Sequence, residues 1–231
     1  MKIIPDRDTI QHYLVNYELD NVFVPFHSNS LPLQLRVYEP NELVLREGEE
    51  LDGIYFQVAG KTKVSSSVET GKALLLRFCH PLSVFGDIEL IQQVMIQSQV
   101  EAVEQTTFLF LNKRTVETEM MTNPIFLHEL LKHLSYKLQT CTTASRINLL
   151  ASVEERFASY LLTTHLQNEF GKEMLTPHIP EIASLLGTTP RHLNRVIVKL
   201  NEMNIIRKEK KKLYVLDWDR LDEMSNGLRY E

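Results

Sequence analysis

The chain is poor in cysteine. Its 231 residues hold two, Cys79 and Cys141. They are too few for a disulfide framework or for the four ligands of a structural zinc or iron–sulfur centre. No apolar run approaches the ~18 residues needed to cross a bilayer. The first ten residues, with Asp6, Arg7 and Asp8, lack the apolar stretch of a secretory leader. A reducing cytoplasm and no membrane partner are the expectations. No linker rich in Gly, Ser or Pro breaks the chain, and no repeat or low-complexity tract is present. The eight histidines show no ligand spacing, so no metal and no cofactor are expected. A cupin-like enzyme would need clustered His and Glu on strands; His27 and His80 are isolated, so no catalytic residue is assigned.

Net positive charge is missing too. The chain has 25 Lys+Arg against 30 Asp+Glu, a formal charge of −5, which argues against a generic polyanion binder. The distribution reverses that reading. Residues 1–151 carry 13 basic and 18 acidic groups, and residues 152–231 carry 12 of each. Within the second part, residues 188–214 hold eight basic and two acidic groups, a local charge of +6. A concentrated basic stretch in an acidic protein points to nucleic acid.

Up to Asp20 the pattern reads as a short helix with Ile10, Leu14 and Val15 on one side. From Gln34 to Leu111, β-type runs at 35–38, 43–45, 54–58, 62–64, 74–78, 100–103 and 107–111 are separated by turn residues. Such spacing suggests a sandwich or jelly-roll barrel. Residues 55–58 do not alternate, which leaves their faces unassigned. Beyond Leu111 the period becomes helical. Leu127, Leu131, Leu134, Leu138 and Cys141 recur at 4-3-4-3 spacing, an a/d seam continued by polar Ser145 and Asn148. That predicts a dimerisation helix; the alternative is a helix packed on its own barrel. Val153 to Leu166 gives a second helix with Phe157, Leu161 and Leu162 as core candidates. The expected domains are an effector-sensing barrel over 1–119, a dimerisation helix over 120–151 and a winged helix-turn-helix over 152–231. A helix-to-helix hinge near 148–152 joins the last two.

Residues 179–200 read as helix, tight turn, helix. Pro180 sits in a first turn, where a backbone N–H is free anyway. Ile182, Leu185 and Leu186 form a buried stripe, and small Ala183 lets a second helix cross closely. Gly187 ends the first helix in the left-handed conformation. Thr189 caps the next and Pro190 takes its first position. Leu193, Val196, Ile197 and Leu200 face the core, leaving Arg191 and Arg195, four apart, on the opposite face. Thr188, His192 and Asn194 flank them. The N-terminal part of such a helix touches base edges. Arginine there gives two hydrogens to guanine, and an outward Asn194 can pair with adenine. Residues 205–206 then begin a strand, 207–212 form a basic turn and 213–216 return, a wing whose lysines neutralise phosphates without reading sequence. The candidate DNA-binding set is Thr188, Thr189, Arg191, His192, Asn194, Arg195, Lys199, Lys208, Lys210 and Lys211. A helical hairpin with merely solvated arginines is the bland alternative, and it leaves the agreement of cap, turn glycine, small residue and basic face unexplained.

On these segments the chain resembles the Crp/Fnr family of bacterial transcription regulators over nearly its full length. Tyr38-Glu-Pro-Asn-Glu-Leu-Val-Leu-Arg-Glu-Gly48 and Ile54-Tyr-Phe-Gln-Val-Ala-Gly60 are similar to the opening of a cyclic-nucleotide-binding-type barrel. Phe85-Gly-Asp-Ile-Glu-Leu90 is similar to the phosphate-binding cassette, and the helix-turn-helix completes the match. The resemblance implies an effector pocket at Gly86, Asp87, Gln97, Ser98, Cys141 and Thr142. It departs from nucleotide-binding relatives at two of these. Asp87 stands where they carry Glu, and Gln97-Ser98 where they carry Arg-Ser. A cyclic phosphodiester is anionic and buried when bound, and a neutral glutamine leaves that charge uncompensated; cyclic AMP is therefore not the expected effector. The oxygen-sensing branch needs an N-terminal cysteine cluster, which is absent. Cys141 reads either as a small apolar packing residue or as a thiol meeting its mate across a dimer axis. In the recognition helix Arg191 replaces a glutamate common in relatives, so the preferred bases should differ. Arg191-His192-Leu193 is similar to the YeiL-like branch.

The expected fold is α+β: an N-terminal β jelly-roll barrel of cyclic-nucleotide-binding type, a long dimerisation helix and a C-terminal winged helix-turn-helix. The expected function is a homodimeric, sequence-specific DNA-binding transcription regulator. Its barrel responds to an effector other than cyclic AMP, or to none. The alternatives are a cyclic-nucleotide-responsive regulator or binding module and, more remotely, a cupin-like barrel enzyme. The implied partners are double-stranded DNA at a near-palindromic site, a second copy of the chain, RNA polymerase and a small-molecule effector not identified by sequence.

Overall fold

Alternation fails at residues 55–58 because both faces of that strand are covered. The computed structural model describes residues 1–23, 32–68, 71, 73–210 and 212–230. His27 and Lys211 lie outside the described residues. Strands run as β1 (Lys2–Ile4), β2 (Gln34–Tyr38), β3 (Leu43–Leu45), β4 (Gly53–Ala59), β5 (Thr62–Ser67), β6 (Ala73–Cys79), β7 (Ser83–Phe85), β8 (Gln99–Ala102) and β9 (Thr106–Asn112). One sheet has the order β1-β2-β9-β4-β7, and β3, β8 and β5 are successive neighbours in another. Phe56 of β4 meets Phe23 edge to face at 5.7 Å, while Tyr55, on the opposite face, meets Phe108 and Phe110 at 5.8 and 4.9 Å. Each fully buried ring contributes about 1.5–3 kcal/mol of transfer free energy. A central strand covered on both sides carries no period-2 signal.

The chain divides into two compact units, Met1–Gly71 with Cys79–Lys137, and Lys72–Phe78 with Leu138–Glu231. The first holds the barrel strands other than β6, together with α1 (Arg7–Asn16), α2 (Asp20–Phe23), α3 (Asp87–Gln92), α4 (Lys113–Thr115) and a π-helical turn at Val116–Met120. The reading of the first twenty residues as one helix needs correction. β1 pairs with β2 (Ile3 opposite Arg36), and α1 begins only after Asp6, whose carboxylate accepts from the Asp8 and Thr9 N–H groups. Leu14 is buried on α1, but Val15 is 56% exposed. β1 and β7, three residues each, are not among the strand runs expected from the sequence.

α5 (Pro124–Leu150) is one unbroken helix. Phe126, Leu130 and Ile147 are buried on it, whereas Leu131 and Leu138 are 60% and 69% exposed. Cys141 is exposed as well. The reading of Asn148 as a polar continuation of the seam is corrected: its amide donates to the Leu185 carbonyl at 2.9 Å and its oxygen accepts from the Tyr230 hydroxyl at 2.8 Å. After Leu150 the chain turns and restarts. Ser152 accepts from the Glu155 N–H, and Glu155 accepts from the Ser152 N–H at 2.7 Å, a reciprocal cap that fixes the new start.

The second unit then runs α6 (Val153–Leu166), α7 (Glu169–Met174), α8 (Ile179–Leu185), α9 (Pro190–Glu202), β10 (Ile206–Glu209), β11 (Lys212–Val215) and α10 (Trp218–Ser225). Phe157, Ala158, Ile182, Ala183, Leu193, Ile197, Leu200, Leu221 and Tyr230 are buried in one cluster, which Leu75 and Phe78 of β6 join. The Leu75 N–H donates to Ser184 Oγ at 2.8 Å, and Arg77 pairs with Glu173 at 3.4 Å.

Candidate nucleic-acid interface and effector cassette

The turn between α8 and α9 is built by backbone hydrogen bonds. The Thr188 N–H donates to the Ala183 carbonyl at 2.8 Å and the Gly187 N–H to the Ser184 carbonyl at 3.0 Å. That pair is a Schellman closure, and it needs a left-handed residue, which Gly187 supplies at φ +59°. Thr189 Oγ1 accepts from the His192 N–H at 3.2 Å, and Pro190 takes the first helical position. α9 buries Leu193, Val196, Ile197 and Leu200. Arg191, His192, Asn194 and Arg195 are exposed, as is Thr189, and Thr188 is half-buried. No ion pair engages either arginine among the described residues, so both guanidinium forks keep their donors available to base edges.

The rest of the candidate set is divided. Lys199 is exposed, but its ammonium sits on the Glu154 carboxylate at 2.7 Å, which ties α9 to α6 and takes that charge away from phosphate. Asn194 donates to the Pro190 carbonyl at 2.9 Å and accepts from Lys208 Nζ at 3.3 Å. Reading adenine would require its amide to leave both partners. In the wing, β10 and β11 pair with Glu209 opposite Lys212, and Lys208 and Lys210 are exposed on the turn side. Lys210 has a positive φ of 51°, which lets the hairpin reverse tightly.

In the cassette, Gly86 precedes α3 with φ +86°, and a Cβ there would lie 2.7 Å from the Gly53 carbonyl oxygen. Only glycine fits. Asp87 follows, 1% exposed, and both its oxygens accept from Lys137 Nζ at 2.7 and 2.8 Å. The same ammonium donates to the Val84 carbonyl at 2.7 Å. A buried carboxylate is thus neutralised by a lysine from α5. Glu89, also buried, accepts from the Gln97 N–H at 3.0 Å and pins the cassette loop to α3. The Gln97 side chain is exposed and donates to the Met95 carbonyl of its own loop at 2.7 Å; Ser98 is half-buried. Gly86, Asp87, Gln97 and Ser98 are therefore brought together through Glu89. Cys141 and Thr142 are exposed on the part of α5 that belongs to the second unit. His133 shares the surroundings of Lys137 and Asp87. Its pKa is lowered, first by burial and then by the Lys137 charge, against the opposing pull of Asp87 and Glu129.

Sequence reasoning passed over two side chains that organise these sites. Lys137 carried no motif. Arg156 donates to the Leu186 carbonyl at 2.6 Å and the Asn148 carbonyl at 3.1 Å, satisfying carbonyls at the ends of α8 and α5. The only local hint is a basic residue in the first turn of a helix, where charge is otherwise unfavourable.

Comparison with known proteins follows the same division. The family described as Cyclic nucleotide-binding domain matches residues 35–123, and the Crp-like helix-turn-helix domain matches residues 155–224. The chain is similar to the Cyclic AMP receptor protein of Thermus thermophilus, 24% identical over 84% of this chain and 89% of that protein. It is similar to Regulatory protein YeiL of Escherichia coli O157:H7, 22% identical over 74% of this chain and 75% of that one. Among solved structures, a CRP-family transcriptional regulator from Thermus thermophilus superposes with a TM-score of 0.67 at 18% identity, covering 85% of this chain and 98% of its own.

Proposed function

The chain belongs to the Crp/Fnr family of transcription regulators, and we propose that it acts as a cytoplasmic homodimer that reads a near-palindromic DNA site, with RNA polymerase as its further partner. The observation that carries the reading is the divided face of α9: four apolar residues are buried, and Arg191, His192, Asn194 and Arg195 are left in solvent beside a capped turn. Two such helices would enter successive major grooves about 34 Å apart. The exposed Leu131, Leu138 and Cys141 give α5 the apolar stripe that a second copy would cover. In this role Thr188 and Thr189 set the helix entry, Arg191 and Arg195 read bases, and Lys208, Lys210 and Lys211 meet phosphates. Selection from a random duplex library tests it. The expected result is enrichment of a two-fold motif with half-sites one turn apart; no enrichment over input, or recovery as a monomer by sedimentation, overturns it.

The barrel is the effector-binding domain, and its effector is not cyclic AMP. Asp87, in the effector pocket that the resemblance implies, is already held by Lys137. Gln97 supplies no cation for a phosphodiester. Saturating cyclic AMP is expected to leave both the melting temperature and the DNA affinity unchanged; a clear rise in either would move the chain to the cyclic-nucleotide-responsive reading.

A further inference from the structure

The second unit contains a cleft of about 640 Å³ that the DNA-reading face does not use. That volume lies inside the range of small-molecule sites, about 300–1,000 Å³. Its walls are aromatic and preformed. The Trp218 indole lies against the His165 imidazole with ring centroids 4.1 Å apart and planes tilted 36°. Tyr160 and Ile182 line it from α6 and α8, and Tyr214 and Lys212 from β11. Trp218 and Tyr214 remain 37% and 40% exposed, so aromatic surface faces water at the mouth. Among the described lining residues there is no Asp or Glu, and Lys212 is the one Lys or Arg; the Arg207 guanidinium, outside that lining, lies 5.8 Å from the centroid of the Tyr214 ring.

We propose that this cleft, formed by Trp218, His165, Tyr214 and Lys212, is a second binding site, separate from the barrel, for a small aromatic anion. The rings of such a ligand would replace water against Trp218 and Tyr214, and its acidic group would meet the Lys212 ammonium, with the His165 ring nitrogens as further polar contacts. The aromatic stack forms without the ligand, so little ordering opposes binding. Because β11 is one wall, an occupant would bear on the wing strand.

Trp218 is the single tryptophan of the chain, so its emission reports this cleft alone. The full chain, without DNA, is titrated with 8-anilinonaphthalene-1-sulfonate and with N-phenyl-1-naphthylamine, which has the same rings and no sulfonate. The sulfonate is expected to quench Trp218 saturably at one dye per chain, and to bind about three- to fivefold more tightly than the neutral dye. Lys212→Gln should erase that preference while the fold, judged by circular dichroism, is unchanged. His165→Ala should weaken both dyes. Absence of quenching, uptake at many sites per chain, equal affinity for the two dyes, or a preference that survives Lys212→Gln overturns the proposal. No DNA enters the titration, so its outcome is separate from that of the duplex selection.

Discussion

The two functional regions use charge in opposite ways. In the cassette the charged and polar groups are turned inward and matched: Lys137 on Asp87, the Gln97 N–H on Glu89. On α9 the arginines are turned outward and left without ion pairs among the described residues, while Lys199 at the far end of the same helix is taken up by Glu154. The lesson is that a count of basic residues overstates the DNA-reading surface. The working charge is what remains after internal pairing, and it concentrates in the first turns of α9 and in the wing.

The sharpest way to break this contrast is Lys137→Ala, which leaves Asp87 buried without its cation. A stability loss of about 3–5 kcal/mol is expected in urea unfolding, with most of it recovered when Asp87→Asn and Lys137→Met are combined. A loss under about 1 kcal/mol would show that the pair is not carrying the cassette. Next comes Arg195→Ala, expected to cost about 1–3 kcal/mol on the selected site and to relax one base position, with little change on random DNA. Lys210→Ala should weaken all sequences alike and lower the salt slope by about one; equal losses on specific and random DNA for both variants would erase the distinction between reading and neutralising. Lys199→Ala, on an exposed pair, should cost under about 1 kcal/mol in stability. The smallest effect is a pH dependence. His133 has a folded pKa below its unfolded value, so it contributes stability that is fully present above the unfolded value, about 6.5, and is lost as pH falls from there through the lower folded value. His133→Gln should flatten that part of the stability profile, read as melting temperature against pH.

The parts legible in sequence were those written locally. The Gly187 turn, the Thr189 cap and the apolar stripe of α9 each lie within a few residues of one another, and backbone preference alone marks them. The strand runs of the barrel were legible for the same reason, even the three-residue β3 between its turn residues, whereas β1 and β7 were not marked. What could not be read were pairings across sequence. Lys137 and Asp87 are 50 residues apart, and nothing in either segment announces the other. Asn148 sits at the seam spacing, yet its side chain serves Leu185 and Tyr230, because helical periodicity gives a direction and not a partner.

The hydrogen bond from Leu75 to Ser184 joins residues 109 apart, and this orders events at the ribosome. Leu75 and Phe78 emerge long before the helices that bury them, so the C-terminal unit cannot close on itself as it is made. Its last apolar pieces must be supplied by chain already synthesised. A fragment beginning at the hinge would start life with the seat of Leu75 and Phe78 empty, and long-range closure of this kind slows folding relative to a bundle of local contacts.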